Sequence, residues 1–281
     1  LVDDLDYQKA GLFAAVGDNA AALDILEPLT QRLSPDSHLY VPSVRSLLDT
    51  YVQDGRYEKT VHKADTLMSV VTSCEDSLYV SRLMVRAFAL MGKEEEARRH
   101  LKVSDELYEA LPAEMFLKAQ QQRLHGEVDE MFGEYEAAYA AYGRARDLLV
   151  SVLGKGHPEC VSLLYGMAKT SLLSGDVKRA WRYYSDYLSQ KMDYLSGEMF
   201  RMNTWEMLSY WNRSNEGLVD AGLFCHDVEV SGANLSDALN AVMFAKSVSF
   251  DTSVGFGELV GKAGDPALLD DYRRLKELNM R

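Results

Sequence analysis

The sequence predicts an all-α protein, a right-handed α-solenoid of about five helical hairpins followed by a C-terminal helical cap or linker. The first observation is a glycine that recurs between amphipathic stretches, at spacings of 38, 37, 41 and 42 residues. These glycines are Gly17, Gly55, Gly92, Gly133 and Gly175. Near-regular periods of this length indicate hairpins that each leave an apolar face uncovered until a neighbour stacks on it.

The second observation is a small residue five positions after each of four glycines, at Ala22, Ala97, Ala138 and Ala180. We expect these alanines where two helices approach closely, and Thr60 holds the same place after the second glycine. Apolar residues also recur at helical spacing on both sides of the glycines, which predicts one antiparallel hairpin around each. Glycine suits the turn because it adopts positive φ at low cost. We assign the methionines and the regularly spaced tyrosines to the core.

The fourth and fifth hairpins resemble the tetratricopeptide repeat (TPR). The segments GEYEAAYAAYGRA and SGDVKRAWRYYSDYL match its order of glycine, small residue, aromatic residue and small residue. The longer steps, with LGKGHPECVSLLYGMAKTSL before the last turn, look like the extended variety found in kinesin light chains and bacterial regulatory proteins. Unrelated helical hairpins of another solenoid family are the alternative. The resemblance implies a domain at residues 1–195 that binds a protein or peptide.

Residues 196–281 carry a second resemblance, to the segment that joins the repeats to the caspase-like peptidase domain in bacterial TPR-CHAT proteins. It is carried by Tyr210 and Trp211, the helix at 238–246 and the helix at 264–275, with Ser247 where glycine is usual. The resemblance implies a noncatalytic regulatory region whose partner controls a cysteine peptidase further along the polypeptide. A freestanding TPR adaptor or regulator is the alternative, although no helix-turn-helix with a basic recognition helix is apparent.

Composition narrows the class of partner and the compartment. A formal charge of −13 and an isoelectric point near 4.9 oppose direct binding to nucleic acid, which depends on Lys and Arg. No run approaches the roughly 20 apolar residues of a membrane helix. Three widely separated cysteines favour a reducing, cytoplasmic compartment. The chain starts without methionine, so a trimmed fragment with a removed targeting signal is the alternative, and the oligomeric state is left open.

No residues form a recognisable catalytic, metal or cofactor site. Cys225 and His226 are adjacent, so their side chains diverge, whereas a cysteine peptidase holds its dyad on separate strands. His157 lies in the loop GKGHPEC, where Pro158 predicts the first turn of a helix and His157 its cap. A thiol enzyme that uses His157, Cys160 or Cys225 is the less favoured alternative.

The predicted binding surface is the concave face of the solenoid, which the first helix of each hairpin lines. The usual inward positions of the repeat carry residue pairs four apart, which share one helix face. They are Arg45 and Asp49, Arg82 and Arg86, Arg123 and Glu127, and Tyr165 and Lys169. Arginine recurs in three successive hairpins, which predicts a groove for an acidic peptide or a carboxylate. Solvated arginines that pair with neighbouring acids are the alternative.

Overall fold

The computed structural model describes residues 2–15, 17–112 and 114–199, with separate positions at 211, 217, 218, 220, 236, 239–244, 261, 262, 266, 269, 270 and 274. The chain divides into two compact units, Leu1–Tyr187 and Leu188–Arg281. Within the described ranges all regular structure is helical. The helices are α1 (Val2–Ala15), α2 (Asn19–Arg32), α3 (Tyr40–Gln53), α4 (Tyr57–Met68), α5 (Cys74–Leu90), α6 (Glu94–Glu109), α7 (Met115–Met131), α8 (Tyr135–Leu153), α9 (Pro158–Leu173) and α10 (Val177–Met199).

Each of the five glycines ends the first helix of a hairpin in the same way. Their φ angles are positive, from 71° at Gly92 to 86° at Gly175. At Gly92 the glycine N–H donates to Ala89 O, and the N–H of Lys93 donates to Phe88 O. The other four turns repeat both hydrogen bonds, which together define the Schellman motif. The predicted turns are confirmed, because a residue with a Cβ atom is strained at these φ angles.

The residue five positions after each glycine is fully buried or nearly so. The set comprises Ala22, Thr60, Ala97, Ala138 and Ala180. Thr60 keeps its hydroxyl satisfied by donating to Arg56 O at 3.1 Å. The predicted close approach at this position is therefore confirmed in all five hairpins, including the one that lacks alanine.

The core is shared between neighbouring hairpins. One buried cluster joins residues of α3 and α4 to residues of α5 and α6, and another joins α7 and α8 to α9. A smaller cluster links Val85 and Leu101 to Leu124 and Val128 of α7. Because each hairpin contributes to its neighbour's core, the repeats form a TPR-like all-α solenoid, as the sequence predicts.

Tyr142 on α8 shows how tightly the fourth hairpin packs. A Cβ atom at Gly126 on α7 would lie 2.6 Å from its ring, and one at Gly166 on α9 would lie 3.0 Å from it. The Tyr142 hydroxyl donates to Glu130 Oε2 at 2.8 Å. The two glycines therefore make room for one aromatic ring, which holds α7, α8 and α9 together.

The second unit, Leu188–Arg281, is helical at most of its described positions, among them 239–244. Trp211 is buried, and its ring meets Phe244 edge-on with centroids 6.2 Å apart. The domain boundary predicted at residue 195 stays a prediction. Among the described helices, none combines the length and the apolar composition that crossing a membrane requires.

Candidate functional site

The eight predicted site residues occupy a regular position in the repeat, ten or six residues before a turn glycine in α3, α5, α7 and α9. The residue two before the glycine lies four further along the same helix face. We call these three positions in the four helices the first-helix face.

Three of these residues, with one acid from α9, form a line of ion pairs across α5, α7 and α9. Arg86 Nε lies 2.8 Å from Glu127 Oε2, and Arg123 Nε lies 3.1 Å from Glu127 Oε1. Arg123 also reaches Glu159 Oε2 at 2.8 Å. We call Arg86, Glu127, Arg123 and Glu159 the charge ladder. Each cation in it already has a carboxylate partner within the chain.

The position of Glu127 between two arginines changes its acidity. Burial alone would raise its pKa, but the charges and hydrogen bonds of Arg86 and Arg123 outweigh burial and lower the pKa below its ordinary value. Glu127 therefore stays ionised at neutral pH and holds both guanidinium groups.

The second hairpin pairs its two site residues with the third hairpin. Arg45 Nη1 lies 3.0 Å from Asp76 Oδ1, and its guanidinium stacks 3.8 Å from the centroid of the Tyr79 ring. The Tyr79 hydroxyl donates a short hydrogen bond to Asp49. Burial raises the pKa of Asp49, and the Tyr79 hydrogen bond and the charges of Arg45 and Arg86 only partly offset this. Glu127 occupies the same repeat position, but its pKa is lowered and not raised.

Arg82 differs from the other predicted residues because it is buried, with 9% of its surface exposed. Its Nε donates to Gln121 Oε1 at 3.1 Å, its Nη1 to Gln120 Oε1 at 2.8 Å and its Nη2 to Leu117 O at 3.1 Å. These acceptors are uncharged, and burial lowers the pKa of Arg82 to about 10. Gln121 in turn donates to Asp105 at 2.8 Å. Arg82 thus joins α5 to α7 inside the protein and does not line a groove.

The fifth hairpin supplies the last two predicted residues. Lys169 Nζ lies 2.5 Å from Glu130 Oε1 on α7, and the Tyr165 ring lies 5.3 Å from the ring of Tyr187. Seven of the eight predicted residues therefore lie partly or fully exposed on the first-helix face, and Arg82 is the exception. Their role in binding stays a prediction, since every charged member is engaged by another residue of the chain.

Three exposed apolar residues on the same face were not among the predicted residues. Leu90, Met131 and Leu173 each lie two residues before a turn glycine, and 42%, 48% and 47% of their surfaces are exposed. We call them the apolar row. Their shared distance from the glycine is visible in the sequence and could have identified them. The assignment of the methionines to the core is confirmed at Met84 and Met167, which are buried, but it is wrong at Met131, which is exposed.

A cavity of about 260 Å³ lies beside the row, between α5 and α7. Its walls include Leu90 and Met131, and Leu124 and Val128 are buried side chains that line it. Arg86 and Glu127 also line it. The first-helix face therefore has an apolar recess next to its charge ladder.

The candidate thiol residues have structural roles where they are described. His157 caps α9, because its Nδ1 accepts a hydrogen bond from the Glu159 N–H at 3.3 Å, as predicted. Cys160 is fully buried, and burial raises the pKa of its thiol. Cys225 and His226 lie outside the described residues. In the part of the chain that is described, no three His, Cys, Asp or Glu side chains are arranged to hold a metal ion.

Comparison with solved structures places the fold among TPR-like α-solenoids. The chain is similar to BtubC (BKLC) from P. vanneervenii, with 12% identity, a TM-score of 0.58, and coverage of 89% of this chain and 91% of that one. It is also similar to the kinesin light chain-like, nearly identical TPR-like repeats of Podosopora anserina, with 15% identity, a TM-score of 0.51, and coverage of 68% and 94%. Identities this low establish the fold alone. No protein-family model matches the chain, and no curated protein matches it.

Proposed function

We propose that this chain is a noncatalytic scaffold that binds a protein or peptide along its first-helix face. The observation that carries the proposal is the apolar row, because three large apolar side chains at one repeat position remain exposed in three successive hairpins. Aligned exposed apolar side chains beside a recess are typical of protein-binding surfaces. TPR-like solenoids offer such a surface because their stacked helices form an extended face.

Site-specific crosslinking tests this proposal. A photoreactive amino acid placed at Leu173 lies on the first-helix face, and one placed at Val152 lies at the end of α8. The two positions are matched, since 47% of Leu173 and 49% of Val152 is exposed. We expect a discrete crosslinked partner in cells from position 173 and none from position 152. Equal crosslinking from both positions would contradict binding along this face.

The finer proposal is that partner binding regulates a caspase-like cysteine peptidase carried by the same polypeptide. It is supported by the resemblance of residues 196–281 to the TPR-CHAT linker. Trp211 and Phe244 belong to two of the resembling segments, and their edge-on ring contact supports the proposal because it joins those segments. The reading frame beyond Arg281 tests it: an α/β segment with a histidine and a cysteine is expected. A stop codon directly after Arg281 would favour the freestanding adaptor.

The sequence predicts an acidic partner, and such a partner would have to compete with the carboxylates of the charge ladder for the arginines. Arg86 and Arg123 are held by Glu127, and Arg123 also by Glu159. An acidic peptide would have to replace one of these carboxylates, and the exchange gains little because one charge-assisted hydrogen bond replaces another. Glu159→Gln frees one side of Arg123 and should tighten an acidic peptide if the ladder is its site. Unchanged affinity would remove that candidate.

A further inference from the structure

We propose that the apolar row binds an extended segment of a partner protein through uncharged apolar side chains, and that basic residues flank those side chains. This inference rests on the proposed scaffold function and specifies the chemistry of its partner. It departs from the acidic partner that the recurring arginines predict.

The size and lining of the recess favour one apolar side chain. Its volume of about 260 Å³ is below the roughly 300–1,000 Å³ typical of small-molecule pockets. Leu124 and Val128 are almost inaccessible to solvent, whereas Leu90 and Met131 stand exposed beside them. A leucine, methionine or phenylalanine placed here would cover both exposed side chains and complete the packing.

The charges at the recess favour an uncharged anchor. Arg86 and Glu127 are paired with each other at 2.8 Å, so neither offers a free counter-charge. A carboxylate or ammonium group in the recess would lose its hydration without gaining a partner, or would break that ion pair. An apolar side chain leaves the pair intact.

The spacing of the row favours an extended segment. Leu90, Met131 and Leu173 lie on α5, α7 and α9, at equivalent ends of successive first helices. Of these helices, α5 and α7 pack against each other, and packed helices lie about 8–10 Å apart. In a polyproline II segment, which rises about 3.1 Å per residue, every third side chain returns to the same face after about 9 Å. An extended partner can therefore contact Leu90 and Met131 with residues three apart.

The charges beside the row favour basic flanks. Glu95 and Glu134 lie five and three residues after Leu90 and Met131, and both are exposed. Neither side chain has an ion pair or hydrogen bond among the described residues. Lys93 lies in the same turn as Glu95 and Glu96, while Glu94 of that turn is paired with Arg98 at 2.8 Å. With a net charge of −13 on the chain, Lys or Arg beside anchors at Leu90 and Met131 would be attracted and would speed association. After Leu173 the corresponding exposed residue is Lys178, so the basic flanks are expected at the other two members of the row.

Fluorescence anisotropy with three labelled peptides of about twelve residues tests the inference. The first carries leucine at every third position, serine and alanine between, and two lysines at each end. The second has glutamates in place of the lysines, and the third has serines in place of the leucines. We expect the first to bind at least about tenfold more tightly than the other two, and its affinity to fall with added salt.

Variants locate the site. Met131→Gln should weaken the leucine–lysine peptide about tenfold, and Val152→Gln, a change at an equally exposed apolar residue outside the row, should leave its affinity unchanged. Matching thermal melts will show that both variants fold. Tighter binding of the glutamate peptide, equal binding by Met131→Gln, or no binding of any peptide would overturn the inference. Crosslinking from position 173 alone would still support the scaffold function in those cases, so the two failures are distinguishable.

Discussion

The charge ladder and the apolar row occupy the same helices. The side chains of the ladder are paired with one another, whereas the side chains of the row are exposed to solvent. At ten and six residues before the turn glycine, side chains reach the next helix and pair, as Arg86 does with Glu127. At two residues before the glycine, α5, α7 and α9 carry the apolar side chains Leu90, Met131 and Leu173, which remain 42%, 48% and 47% exposed. A repeat can therefore use two positions of one face to hold its hairpins together and leave a third for a partner.

The largest expected effect comes from replacing Arg82, the buried arginine that joins α5 to α7. Arg82→Met removes the three hydrogen bonds of the guanidinium group, while Gln121 Oε1 still accepts from Ser104 Oγ at 3.2 Å. We expect the free energy of unfolding to fall by about 3 kcal/mol, because a hydrogen bond to a charged group contributes about 1.5–3 kcal/mol. Urea denaturation measures this. Arg144→Met at an exposed arginine is the control, and a loss at Arg82 no greater than the control's would contradict the buried role.

A smaller effect is expected from the ladder itself. Glu127→Gln removes the charge shared by Arg86 and Arg123 and should lower the free energy of unfolding by about 1–2 kcal/mol, as for partly buried charged hydrogen bonds. Glu94→Gln, which breaks only the exposed pair with Arg98, should cost under about 0.5 kcal/mol. Equal losses in the two variants would mean that the ladder stabilises the repeats no more than a surface pair does.

The pH dependence of stability separates Glu127 from Asp49, its counterpart in the second hairpin. The pKa of Glu127 is lowered in the folded protein, so its stabilisation is present above its unfolded pKa and is lost as the pH falls through the folded pKa. The pKa of Asp49 is raised, so its contribution is favourable below its unfolded pKa and is lost as the pH rises through the folded pKa.

Urea midpoints measured between about pH 3 and 7 test these opposite signs. The advantage of the wild type over Glu127→Gln should shrink as the pH falls. The advantage of the wild type over Asp49→Asn should instead shrink as the pH rises. Parallel curves for the two variants would show that the two positions share one electrostatic environment.

The sequence was sufficient to predict the hairpins because their signals are local. A glycine at each turn and a small residue five positions later report backbone conformation and close packing, and both signals can be identified within the sequence of a single hairpin. The predicted cap at His157 succeeded for the same reason, since Pro158 fixes the start of α9.

The state of the site residues was not predictable because it depends on contacts between repeats. Glu159 and Tyr79 lie outside the two positions that the repeat pattern singles out, yet they pair with Arg123 and Asp49. Arg82 and Arg86 look equivalent in the sequence, but only Arg82 meets the amides of Gln120 and Gln121. Which arginine is buried is decided by the register of α5 against α7.

The most direct test of the central claim compares one variant of the row with one of the ladder. The affinity of the leucine–lysine peptide is measured for the wild type, Leu173→Gln and Arg123→Gln at one salt concentration. If the apolar row is the binding surface, Leu173→Gln weakens binding about tenfold and Arg123→Gln changes the affinity by less than about twofold. A tenfold loss in Arg123→Gln with unchanged binding by Leu173→Gln would show that the ladder is the binding surface.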